Sequence, residues 1–156
     1  MTSRIAVLAA LGAALVLAAD PPGFMHWRAA DLKGLEQKLV GKLDPKSKSA
    51  SEPLGKFPNH SFTLAHREAS GEAEIHETQA DIFVVQSGEA KLVIGGKLTG
   101  ARTTAPGEVR GSSIEGGREM KVAVGDIVHI PAKVPHQLLV EVGKQFTYFV
   151  VKVDTP

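Results

Sequence analysis

The residues best suited to chemistry fall in two short segments. The first is Glu74-Ile75-His76-Glu77-Thr78-Gln79-Ala80-Asp81, which continues through an apolar run to Ser87-Gly88. Glu74 and His76 stand two positions apart in the alternating stretch Glu72 to Glu77. Alternate residues of a strand point to one side, so this carboxylate and this imidazole can converge on one point. Asp81 follows after a short turn, from which its side chain can double back. The second segment, Gly125-Asp126-Ile127-Val128-His129-Ile130-Pro131, leads through Ala132-Lys133-Val134 to Pro135-His136. Imidazoles beside carboxylates offer either nitrogen and oxygen ligation of a metal or acid–base work near neutral pH. The chain has no cysteine. Thiolate ligands, thiol nucleophiles and disulfides are thereby excluded.

Together the two segments resemble the paired motifs of the cupin superfamily, in the form of a small single-domain, conserved-barrel member. The first family motif runs His-x-His, three or four residues, Glu, six residues, Gly. Here Asp81 and Gly88 keep the acid-to-glycine spacing, His76 stands at the second histidine, and Glu74 holds the first histidine's place. An alternative register pairs His76 with Thr78 and leaves too few residues before Asp81. The second family motif, Gly-Asp, apolar strand, Pro, turn, Pro-His, is matched almost position for position and ends on His136. The resemblance implies an antiparallel jelly-roll β-barrel whose metal ligands are His76, His136, Asp81 and Glu74. Such a donor set suits Mn, Fe, Zn or Ni rather than a soft copper site. The family's usual set is three histidines and a glutamate, so a metal-free pocket is the competing reading.

Three of the remaining histidines are weighed as ligand-binding residues. His60 and His66 share a strand face with Phe62 and Leu64, which predicts that both point inward. His129 lies in the strand before the turn that carries His136. Arg67 and Arg110 are candidates for gripping a carboxylate.

The elements that must position these groups are short strands between Gly and Pro turns. Alternation predicts strands at 60–67, 72–77, 81–86, 90–94, 119–124, 127–130, 137–142 and 146–153. Ser87-Gly88 reads as a turn between two of them. Leu98 to Arg118, dense in Gly, Thr and Ser, reads as a long loop or excursion hairpin that could act as a pocket lid. Before the barrel, Leu32, Leu35, Leu39 and Leu43 recur at helical spacing within Phe24 to Leu43, with Asp31 as N-cap. Lys46 to Gly55 reads as a linker. Residues 1–19 carry Arg4, an apolar run and small residues before Asp20-Pro21-Pro22, the pattern of a secretory signal peptide. The division is then signal peptide 1–19, helix and linker 20–56, and barrel 57–156.

Of 156 residues 43% are apolar and 22% charged, with a formal net charge of +1. That balance gives no field to recruit nucleic acid, and after signal cleavage no segment calls for a membrane. No nucleophile elbow, phosphate loop or dinucleotide fingerprint is present. The expectation is an exported, periplasmic or secreted barrel with a small-molecule ligand, paired as a homodimer through edge strands. Two functions stand side by side: a metal-dependent enzyme of oxygenase, isomerase or lyase type, and a barrel that binds a ligand without turnover.

Overall fold

The computed structural model describes residues 19–156, so the expected signal peptide lies almost wholly outside the described residues. Among the described residues, no helix is long and apolar enough to cross a membrane. One helix, α1 (Ala29–Val40), precedes twelve strands. It starts three residues earlier than an Asp31 cap predicts, because the cap is Arg28, in extended conformation. Asp31 sits inside the first turn instead, where its carboxylate accepts the Arg28 backbone N–H at 3.2 Å and pairs the guanidinium at 2.7 Å.

The strands are β1 (Ser49–Lys56), β2 (His60–Arg67), β3 (Ala73–His76), β4 (Gln79–Ile94), β5 (Lys97–Thr99) and β6 (Arg102–Ala105). They continue as β7 (Glu108–Gly111), β8 (Ser113–Glu115), β9 (Arg118–Ala123), β10 (Ile127–Ile130), β11 (His136–Leu139) and β12 (Phe146–Asp154). Their order is β1-β2-β12-β4-β11-β3-β7-β6, with β9 and β10 also on β4 and a separate β5-β8 pair. All pairings are antiparallel. The first half of β4 pairs with β12 and β10, the second half with β11 and β9. One strand thus joins both walls of the jelly roll.

Two expectations are corrected here, and of the two readings of the 98–118 excursion the hairpin holds. The 46–55 linker contains β1, an edge strand whose ladder comes from β2 rather than from an apolar pattern of its own. Pro53 is tolerated there beside a register shift at Pro53/Gly55. The turn at Ser87-Gly88 is instead a bulge within β4, where Tyr148 opposes Val85 but Thr147 opposes Ser87. Gly88 has φ of 74°, and a Cβ there would lie 1.9 Å from the Gln145 carbonyl oxygen. The 98–118 excursion is mostly strand, and its β7 pairs directly with β3.

The bulge resets which residues face inward. Before it Asp81, Phe83 and Val85 are buried, and after it Ala90 and Leu92 are. They join Leu138, Phe146, Tyr148 and Val150 in the barrel core. The opposite face of β2 and β12 is covered by α1 and its flanks, where Leu39 and Leu64 are buried. Trp27 packs against Phe62 and Phe149 on that outer layer.

Candidate metal centre

Backbone register brings the site together. In the ladder His136 opposes Glu74 on one side and Ile94 on the other, and Glu74 opposes Arg110. His76 opposes Glu108. From the facing wall, Asp81 opposes Lys152. Facing pairs in a ladder share a side of the sheet, so these residues project into the same interior.

The ring centroids of His76 and His136 lie 5.3 Å apart. Donor atoms of Glu74, His76 and His136 all fall within 4.8 Å of one another. Ligands around one ion with bonds of about 2.1 Å stand up to roughly 4 Å apart, so a contraction of roughly 0.8 Å would close the group. His76, Asp81 and His136 are buried, and the Glu74 side chain is 24% exposed.

Each imidazole is oriented through its outer nitrogen. His136 Nδ1–H donates to the Val134 carbonyl at 3.0 Å. That leaves Nε2 buried without a hydrogen-bond partner, 3.4 Å from Glu74 Oε1 and 3.7 Å from Asp81 Oδ2. His76 Nδ1 is held by Glu108, at 2.8 and 2.9 Å from its two oxygens. A carboxylate or carbonyl behind an imidazole fixes its tautomer and turns the other nitrogen's lone pair to a metal. Arg110 in turn ties Glu74, at 2.7 Å, to Glu108, at 2.9 Å. A buried orphan nitrogen flanked by a carboxylate and a second oriented imidazole fits a divalent ion.

Lys152 adds a second cation. Its Nζ lies 2.8 Å from His76 Nε2 and 2.8 Å from Asp81 Oδ1. Asp81 is therefore engaged by an ammonium, while His76 Nε2 stands 3.3 Å from Asp81 Oδ2. Neutral His76 accepts from Lys152 at Nε2, and protonated His76 donates there to Asp81. Burial would raise the Glu74 carboxyl, but the neighbouring His136, with Arg110 and His76, outweighs it and holds the group at about 2. Burial likewise opposes ionisation of Asp81, and His76 and Lys152 overcome it and lower its pKa. His76 is raised: burial disfavours its charge, but the bond to Asp81 and the nearby acids favour it more strongly than Lys152 opposes it.

Of the residues singled out by sequence, Glu74, His76, Asp81 and His136 meet. The inward orientation expected for His60 and His66 is corrected. Both lie on the outer face of β2, because that apolar face packs under the N-terminal segment rather than into the barrel. His60 bonds Asn59 at 2.7 Å and stacks on Phe57 at 4.7 Å. His66 Nδ1 bonds Thr147 Oγ1 at 2.7 Å, and Thr147 donates to Glu36 of α1 at 2.8 Å. His129 is exposed and opposes Ile82 on the outer side of the ladder. None of the three reaches the interior group. Sequence reasoning missed Lys152 and Glu108. The first had a signal, since Phe146, Tyr148, Val150 and Lys152 share one parity on β12.

No family model matches the sequence, and no curated protein does. Solved structures do resemble it. TT1209 from Thermus thermophilus is 18% identical, with TM-score 0.54 over 77% of this chain and 95% of that one. A double-stranded β-helix domain protein from Klebsiella pneumoniae is 14% identical, with TM-score 0.52 over 73% and 80%. The polyketide cyclase RemF from Streptomyces resistomycificus is 20% identical, with TM-score 0.50 over 70% and 68%. At these identities the likeness is one of fold. The curled antiparallel sheet, the two matched segments and these neighbours agree: the chain has the cupin fold, a double-stranded β-helix barrel.

Proposed function

We propose that this chain is an exported cupin that holds a divalent transition metal through Glu74, His76 and His136 and acts on a small molecule. The observation that carries the reading is the buried, unpartnered Nε2 of His136 beside Glu74 and the oriented His76. A bound ion would supply Lewis acidity and open positions for substrate oxygen. The chain's own groups do the rest. Glu108 and the Val134 carbonyl hold the imidazoles in one tautomer, and Arg110 keeps Glu74 ionised. Asp81, buried, and Lys152, half-buried, form an ion pair at the interior wall. RemF is a polyketide cyclase, an enzyme of small-molecule chemistry, but this chain's substrate has to be read from its own residues.

The test is metal analysis of protein purified without chelator, beside a His76→Ala, His136→Ala double variant. Stoichiometric metal that disappears in the variant supports the reading, and metal absent from both overturns it. A second reading, a metal-free barrel that binds a ligand without turnover, is favoured by one observation. The Lys152 ammonium already meets His76 Nε2 and Asp81, the place where a metal's charge would act.

Export rests on the pattern of residues 1–19, and mass analysis of protein recovered outside the cytoplasm checks the cleavage. Pairing as a homodimer is supported by the ladder edges at β1 and β6. Light scattering of the purified chain checks it.

A further inference from the structure

Between the ends of β1 and β2 and the β3–β7–β6 edge lies a cavity of about 550 Å³ that reaches Glu74. Its volume is within the ordinary range for small-ligand sites. Four cations line it, Lys46, Arg67, Arg102 and Arg110, against two acids, Glu72 and Glu74. Arg102 is paired with Glu72 at 2.7 Å, and Arg110 with Glu74 and Glu108. Among the described residues Arg67 and Lys46 form no ion pair.

Arg67 is the telling one. It follows Ala65 on the inward face of β2, and its Nε is buried with no acceptor. The one side-chain bond of its guanidinium is a long contact of 3.4 Å to the Tyr148 hydroxyl. A guanidinium stays charged at any ordinary pH and offers five donors in a planar fork, so leaving it sunken and unpaired is destabilising without an anion. The chain also makes room for it. A Cβ at Gly71 would lie 2.5 Å from Arg67 Nη1, so a side chain there would push the guanidinium from this position.

We propose that this cavity is an anion subsite in which Arg67, with Lys46 at the rim, grips the carboxylate of a small organic acid whose other end faces the Glu74–His76–His136 group. The inference rests on the reading that the barrel holds a small molecule, and it names that molecule's class. A carboxylate matches the fork of one arginine by two parallel N–H···O bonds. Glu74 and Glu72 on the same walls disfavour a ligand that concentrates two negative charges on one group, such as a phosphate dianion. The acid anchored at Arg67 would direct its remaining oxygens toward the metal ligands, since Glu74 belongs to both the cavity and the triad.

Isothermal titration of the full chain with succinate, with succinamide as the uncharged counterpart, and with inorganic phosphate tests this. Succinate binding that weakens with added salt, with at least tenfold weaker succinamide and phosphate, is the expected result. Arg67→Met should lower succinate affinity at least tenfold without changing metal content. Lys46→Glu, at an exposed position, should lower it severalfold and keeps the test open where Arg67→Met does not fold. Equal binding of succinate and succinamide, tighter binding of phosphate, or an Arg67→Met protein that binds like the parent would overturn the inference. Metal analysis of the same samples separates the two readings. A chain that binds succinate but no metal keeps this inference and loses the metal, and one that binds metal but no succinate does the reverse.

Discussion

Lys152 Nζ and His76 Nε2 stand 2.8 Å apart, so the nitrogen that would bind a metal is the one an ammonium already occupies. Coordination there requires Lys152 to release it. Hydrogen bonds to charged groups are worth about 1.5–3 kcal/mol. Lys152→Met should therefore raise affinity for Zn²⁺ or Mn²⁺ roughly tenfold to a hundredfold, read by titration with a competing chelator. The same variant leaves Asp81 buried without its cation, so its metal-free form should melt lower than the parent and recover when metal is added. Unchanged metal affinity would show that Lys152 does not guard the site.

Glu108 is not among the three grouped donors, yet it sets the His76 tautomer from behind. Replacing such a supporting carboxylate typically costs about 10–100-fold in metal affinity. Glu108→Ala should show that loss with all three donor residues in place. A variant that binds metal like the parent would mean that His76 is oriented by packing alone.

The pH dependence follows from the acids. The Glu74 carboxyl is held at about 2 and Asp81 is lowered, so both favour the fold when ionised. Their contribution is complete above the unfolded values of roughly 4 and is lost as pH falls through the folded values, about 2 for Glu74. For Glu74 that is about 3 kcal/mol. Thermal melts between pH 5 and 2 should drop more steeply for the parent than for Glu74→Gln. His76 works in the other sense: its raised pKa stabilises the fold below about 6.5 and that gain is lost as pH climbs through the folded value. Metal must displace that same proton, so affinity should climb with pH over this range.

Two glycines with nearly the same backbone angle should respond differently to alanine. Gly88 and Gly95 have φ of 74° and 76°, but a Cβ at Gly88 meets the Gln145 carbonyl while one at Gly95 meets nothing within 4 Å. Gly95→Ala should cost about 1 kcal/mol for the left-handed conformation alone. Gly88→Ala should cost roughly 3 kcal/mol or more, because backbone on backbone cannot yield. Urea unfolding of the two variants measures the difference.

The barrel and the meeting of Glu74, His76, Asp81 and His136 were legible, because strand parity and loop spacing are local properties of the chain. What stayed hidden depended on partners. Parity placed His60, Phe62, Leu64 and His66 on one face but could not say which side of the sheet was inside, and Trp27 and α1 claimed that face. β1 carries Ser, Pro and Gly where a strand usually carries branched residues, and only pairing with β2 makes it one. Glu108 and Arg110 sat in a stretch whose glycines and threonines read as loop, although Glu108-Val109-Arg110 alternates like the strand it is. Lys152 belonged to no motif. A lysine in phase with Phe146, Tyr148 and Val150 was its only announcement.

The extra residue in β4 has a consequence for how this chain tolerates length changes. Odd positions face inward before Gln86 and even positions after it, so the two halves of one strand run half a repeat out of step. Deleting a single residue there would bring them into step and turn one half over, putting either Asp81 or Leu92 on the outer face of the strand. This spot behaves like a reading frame: the wall that bears Asp81 and the greasy wall stay in register only while that one count is kept.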